Sequence, residues 1–500
     1  MSLSCPATPS LAEFKTLAQH AKLIPVYREI LADEQTPVSA LCKLGLTDCT
    51  FLLESVEHGE LQGRYSFLGN SAHYLFSSRG NKVIITDKTG CQHKFSGDSL
   101  SALQNLLASL QPAQLANTPP FYGGAVGYIG YSAIHNSEHH SAAPPDDLNL
   151  PDMYFIIPDR VLVFDHTRRC LKVVINVINQ GDADACYEKA LKDIDHCLLQ
   201  LSSGPAPQPL SMKVNNQVEI PPYISSLSAT EFMEKVARCQ EYIASGDAQQ
   251  IVLSQRLAMP LAAPPFNVYR LLRTVNPSPY MYYFQLPQAT VVGSSPEALV
   301  RLENNTATLR PIAGTRQRGK TIAEDNQLVR ELLADKKEIA EHEMLVELGR
   351  AELEKVCQPA SVEVDQFLKV ERYSHVMHIV SNIKGELAAD KNAFDLLRAT
   401  FPAGTVTGDP KMRAMQIIDE LEPLSRGLYA GSVGYIGFNG HMDFCITIRT
   451  AIIKDRTAYV QAGAGIVADS IPQREYEETL HKAQAMLSAL SLAITNGGVQ

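Results

Sequence analysis

The chain has 500 residues, 45% hydrophobic and 20% charged, and a net charge of -10 from 44 Lys and Arg against 54 Asp and Glu. That length suits roughly two to three domain-sized units or one large layered fold. The acidic balance, with no basic stripe, excludes a nucleic-acid backbone binder, and the absence of any run of about 18 apolar residues excludes a spanning helix. Ten cysteines are scattered without a CxxC pair, and the first residues, MSLSCPATPSLAEF, show neither a charged n-region nor an apolar h-region. Free thiols and a cytoplasmic location are therefore expected.

In chain order, KVIITD, YFIIPDRVLVFD and CLKVVINVI read as strands, with a turn at Lys88-Thr89-Gly90. Residues 201–229, rich in Ser, Pro and Asn without a sustained apolar period, form a linker. It separates an N-terminal region, 15–200, from a second region, 230–492. A helix from Ala229 to Ala244 precedes the strand QQIVLSQRL, then YMYYFQLP, ATVVGSS and ALVRLE. Asn304-Asn305 turns the chain into TATLRPIAG. Leu328, Leu332, Ile339, Leu345 and Leu348 have helical spacing and predict one long helical stretch over 323–357. The last third is a meander. AGSVGYIGF, a turn at Asn439-Gly440, MDFCITIRTAII, a turn at Lys454-Asp455 and AYVQAGAGIV follow one another. The expected class is α+β, with antiparallel sheets packed as a layered sandwich and helices outside. The string Val-Gly-Tyr-Ile-Gly occurs at both 126–130 and 433–437. Close backbone approach at the glycines explains it more simply than a duplication.

Two Glu-x-x-Glu pairs, Glu338/Glu341 and Glu475/Glu478, have i,i+3 spacing, which puts each pair on one helical face. Four carboxylates from two helices could hold a hard divalent cation such as Mg2+. Such pairs are also ordinary solvated helix charges, and Glu478 with Lys482 could be a simple i,i+4 ion pair.

An ordered series of segments is more specific: LLESVEHGELQGRYSFLG, NPSPYMYYF, GSSPEAL, PIAGTRQRGKT, KEIAEHEMLVELGR, ERYSHVMHIVS, TFPAGTVTGDPKMRAMQIIDELEP, GLYAGSVGYIGF, FCITIRT, QAGAGIVADS and EYEETLHKA. Together they resemble the chorismate-utilising enzymes, in particular the anthranilate synthase large-subunit family. The likeness covers about 50–130 and nearly all of 230–490. It implies conversion of chorismate and ammonia to anthranilate and pyruvate, with Mg2+ as cofactor on the four glutamates.

Chorismate is a dianion with a C4 hydroxyl that must leave. Arg449, in the otherwise apolar FCITIRT, has a planar fork suited to a carboxylate. Tyr429 could add a hydroxyl donor, and Lys482 a point charge. Gly463 and Gly465 let backbone N–H groups approach an anion, although alone they could mark a tight turn. The resemblance implies Glu297 as general acid for hydroxyl loss and His378 near the ring-proton removal. It also implies Thr315 and Thr405 as hydroxyl donors. Relatives making aminodeoxychorismate carry a Lys where Ala313 stands. Isochorismate- and salicylate-forming relatives carry a Lys base in the strand that holds Gln250, an amide suited to orienting ammonia. Both differences favour amination at C2. The chain departs from the family in ELGRAEL, with Ala351 and Glu352, and in GDPK, with Asp409.

No glutaminase region is visible after residue 490, so a separate glutamine amidotransferase subunit is expected as partner, in a heterotetramer. Glu54 and Ser55, with Asn276, Pro279, Tyr280 and Met281, resemble the family's tryptophan feedback site, which Val433 and Tyr435 would complete. The rival readings are an aminodeoxychorismate or isochorismate synthase and, from another class, a non-catalytic tryptophan-sensing subunit.

Overall fold

The computed structural model describes residues 5–55, 63–136, 143–211, 219–372 and 376–497. Two large sheets, each of 12 strands and antiparallel in every named pairing, stack face to face. Side-chain alternation along the strands builds two cores. In Thr50–Glu54, Phe51 points into the layer between the sheets, against Phe121, which also meets Phe67. Its neighbour Leu52 points to the opposite face, where helices Ala183–Ser203, Pro265–Val275 and Pro472–Gly497 cover the first sheet. This period of two gives the central strands buried residues on both faces, whereas Gln92–Ser96 at one edge is exposed along its whole length. The layered α+β sandwich expected from the sequence is the observed architecture.

Strands from both sides of the Ser/Pro-rich break pair within each sheet. Thr50–Glu54 lies beside Tyr280–Gln285 in the first, and Gly124–Ile129 beside Ser432–Gly437 in the second. The second seam joins the two Val-Gly-Tyr-Ile-Gly strings, with Gly127 opposite Gly434. A Cβ on Gly127 would sit 2.0 Å from the Tyr154 carbonyl oxygen, and one on Gly434 2.1 Å from that of Asp443. Close approach thus accounts for the repeated string, as expected.

Two local expectations change. The stretch 323–357 is not one helix: it divides into Ile322–Ala334 and Lys336–Glu354 at Asp335. The Asp335 side chain accepts from the N–H groups of Lys337 and Glu338, a short polar side chain competing for the backbone and starting a new helix. MDFCITIRTAII is likewise not one strand. Met442–Ile446 belongs to the second sheet and Thr450–Lys454 to the first. Arg449, expected midway along a strand, lies instead at the crossover, with φ +52°.

Candidate active site

The chain changes sheets twice at one place. Thr290–Ser295 is in the first sheet and Ala298–Glu303 in the second, so Glu297 occupies one crossover while Arg449 occupies the other. Backbone bonds tie the two together: Ser294 N donates to the Arg449 carbonyl at 3.1 Å, and Ile446 N to that of Glu297 at 3.0 Å. Residues at a crossover leave the ladder, so their side chains can aim along the gap between the layers.

Around these crossovers the structure gathers the substrate-binding residues expected from the sequence. Arg449 Nη1 donates to the Lys482 carbonyl at 2.6 Å, and Lys482 Nζ reaches the Gly463 carbonyl at 3.0 Å and Glu478 at 2.7 Å. A Cβ on Gly463 would meet the Tyr429 hydroxyl at 2.7 Å, and one on Gly465 would meet Gln250 Nε2 at 2.6 Å. Glycine at both positions therefore lets two polar groups lie against the strand Thr457–Ile466. On the second sheet, Thr315 is opposite His378, and its hydroxyl is 3.0 Å from His378 Nδ1. Which of the two donates depends on the imidazole tautomer.

The titration of the site follows from burial. Desolvation pushes the Glu297 carboxyl up to about 7, against the opposing pull of Thr405 and Lys482. The Thr405 hydroxyl is buried in the turn Gly404–Val406, on the side of the Glu297 carboxyl. Burial also lowers the His378 imidazole; a bond to Gly314 opposes this and the Arg449 cation adds to it. For Arg449 itself, burial works against the charged form. A cavity of about 60 Å3 beside Glu297 and Thr405 is lined on its far side by Arg310 and Glu352.

The four glutamates sit on the N-terminal parts of Lys336–Glu354 and Pro472–Gly497. Arg316 holds Glu338 at 3.0 Å. Burial raises the Glu341 carboxyl, and the negative charges of Glu338 and, across the helix pair, Glu478 add to this. Glu475 is raised by burial and by Glu478. Among the described residues, no three acidic, His or Cys side chains converge closely enough to hold a metal ion. Glu338 and Glu478 pair instead with Arg316 and Lys482, and like-charge repulsion is felt at Glu341 and Glu475.

A separate cavity of about 140 Å3 lies between the layers, lined by Ser55, Pro279, Tyr280, Met281, Val433 and Tyr435. Glu54 also lines it, but its carboxylate accepts from the Tyr269 hydroxyl at 2.5 Å and pairs with Arg273 at 2.9 Å on the covering helix. Asn276 is not part of the lining: its side chain donates to Ser294 Oγ at 3.1 Å. The Ser55 hydroxyl is buried without a partner among the described residues. Residues 56–62 of the LLES segment lie outside the described residues. Sequence reasoning missed Arg301 and Asp443 here, 3.9 Å apart, with Asp443 also accepting from the Tyr280 hydroxyl at 3.0 Å. Their signal was the one that singled out Arg449: charge within an apolar strand.

The sandwich of two antiparallel sheets with helices is the fold of the chorismate-utilising enzymes. The sequence signature described as chorismate binding enzyme matches residues 61–488, and the chain belongs to that family, within its anthranilate synthase component I branch. Anthranilate synthase component 1 of Acetivibrio thermocellus is 45% identical over 97% of this chain and 99% of its own. Its counterpart from Aquifex aeolicus is 44% identical over 97% and 98%. Among solved structures, anthranilate synthase component I from Streptococcus pneumoniae superposes with a TM-score of 0.76 at 35% identity, covering 92% of this chain and 99% of that one. The menaquinone-specific isochorismate synthase MenF of Escherichia coli, at 20% identity and a TM-score of 0.70, shares the fold.

Proposed function

We propose that the chain converts chorismate and ammonia to anthranilate, pyruvate and water. The observation that carries this reading is Glu297, a carboxyl with a pKa of about 7, set between layers beside Thr405, Lys482 and Arg449. Raised this far by burial, it keeps a protonated form near neutral pH, as a general acid requires. Arg449, Lys482 and the amides near Gly463 and Gly465 would take the substrate carboxylates, with Tyr429 donating from its hydroxyl.

Gln250 would orient ammonia for attack at C2. Glu297 gives its proton to the departing C4 hydroxyl, which leaves as water. His378, whose burial favours the neutral imidazole, would accept the C2 proton as pyruvate departs. Glu338, Glu341, Glu475 and Glu478 would hold Mg2+, which neutralises a substrate carboxylate and polarises the ring when bound. Ala313 offers no amine nucleophile, which supports this chemistry over aminodeoxychorismate formation.

The same reading includes ammonia delivery by a glutamine amidotransferase subunit in a heterotetramer, in the cytoplasm, as the first step of tryptophan synthesis. It also makes the larger cavity a tryptophan feedback site, with Ser55, Asp443 and Arg301 as polar partners for the amino-acid group. No described helix is long and apolar enough to cross a membrane.

The test is product analysis of the purified chain with chorismate, ammonium salt and Mg2+. Anthranilate is expected without any partner, with glutamine serving only once the amidotransferase is added. 4-Amino-4-deoxychorismate, isochorismate or salicylate as main product would overturn the proposal.

A further inference from the structure

Beneath the substrate-binding residues lies an ion pair withdrawn from water. Glu422 directly follows the helix Lys411–Leu421, and Arg426 stands four residues on; both side chains are 2% exposed. Arg426 donates to the two Glu422 carboxylate oxygens at 2.6 and 2.9 Å. Its fork also reaches the Val406 carbonyl at 2.8 Å and the Val252 carbonyl at 2.7 Å. The guanidinium carbon is 5.5 Å from the centre of the Tyr429 ring and 4.8 Å from that of Tyr131. Glu422 accepts in addition from Ser254 N at 2.8 Å and Ser254 Oγ at 2.7 Å.

Burial of two charges is a poor source of stability, because desolvation offsets most of the attraction. An apolar pair of similar volume would hold the same helix in place. What an apolar pair could not do is bond two other backbone segments to its own loop, which the planar, multiply donating guanidinium does. Those segments are the turn bearing Thr405, the strand bearing Gln250 and the loop bearing Tyr429.

We propose that Glu422 and Arg426 are positioning residues that set Thr405, Tyr429 and the Gln250 strand in register with one another, acting on substrate only through them. The inference rests on the function proposed above for what is being positioned. The geometric part can be read without any turnover.

The test uses the full chain carrying Glu422→Gln with Arg426→Met, which keeps an acceptor for Ser254 and removes both charges. Three quantities are followed: the thermal midpoint, amide hydrogen exchange over residues 403–407 and 428–431, and kcat and KM for chorismate with ammonium. The expected result is a midpoint close to that of the parent, with exchange in the two segments faster by about tenfold or more. KM is expected to rise about tenfold or more, since small misplacements of binding groups are costly. Thr405→Val should then cost much less in the variant than in the parent, because Thr405 is already out of place. Unchanged exchange in a folded variant, or an equal cost of Thr405→Val in both, overturns the proposal. If the double variant does not fold, Arg426→Lys, which keeps the charge but not the fork, is read by the same criteria. If the parent does not act on chorismate, the functional reading falls, and hydrogen exchange alone decides the positioning role.

Discussion

Lys411 Nζ lies 2.6 Å from the Glu352 carboxylate, joining the two segments in which this chain departs from its family's usual sequence. Glu352 lines the small cavity beside Glu297, so the contact reaches from that cavity to the partly exposed Lys411. The ELGRAEL and GDPK departures are thus tied by a direct contact.

Burial raises the Glu352 carboxyl and Lys411 holds it down, so removing the cation should be felt as lost stability. Lys411→Met is expected to cost about 1–3 kcal/mol in denaturant unfolding at pH 7, and adding Glu352→Gln should recover most of it. The sign with pH is definite. A carboxyl raised in the folded state contributes stability below its unfolded pKa and loses it as pH rises through the folded value. The Lys411→Met deficit should therefore grow between acidic and mildly alkaline pH. A pH-independent deficit would show that Glu352 is not its source.

For Glu297, a general acid with a pKa of about 7 should make kcat/KM fall as pH rises above that value. Glu297→Gln is expected to lower kcat by at least about 10²-fold and to abolish that limb of the profile. Because burial of the charged form is unfavourable, the same substitution should raise Tm at pH 8 while leaving it little changed at pH 4. A variant that kept the alkaline limb would assign it to another group.

Glu478 raises both Glu341 and Glu475, so replacing it by Gln relieves repulsion while removing a proposed Mg2+ ligand. Glu478→Gln should leave Tm without magnesium equal to or above the parent value. The upward Tm shift produced by added Mg2+ should shrink, and the magnesium concentration for half-maximal activity should rise by about tenfold or more. Parent-like responses in both measurements would count against the four-carboxylate site.

Ser55→Phe should fill part of the larger cavity and raise the tryptophan concentration needed for inhibition by about tenfold or more. Turnover without tryptophan should stay near that of the parent, since the proposed catalytic residues lie elsewhere. Asp443→Asn, which removes the proposed ammonium partner, should weaken inhibition in the same assay. A parent enzyme indifferent to tryptophan would end the regulatory assignment and leave the catalytic one intact.

The sequence by itself determined the layered class, most of the strands and the family, because alternation and turn residues are local signals. Ser228 caps the helix Ala229–Ala244, and Asn304, Asn305 and Asp455 adopt the positive φ that such turns use. It also named candidate site residues by motif, and it placed Gly463 and Gly465 where polar groups approach the backbone. Tertiary structure alone decided where the chain crosses between sheets. Nothing local in MDFCITIRTAII marks the break at 447–449, because the residues on either side are equally apolar and equally suited to a strand. The break arises because Met442–Ile446 pairs with Ala298–Glu303 in one layer and Thr450–Lys454 with Thr290–Ser295 in the other. Pairings of that kind join residues far apart in sequence, as do the bonds from Arg426 to Val252 and from Lys411 to Glu352. A charged residue in such a chain shows that it needs a partner, but only the packed layers supply which one.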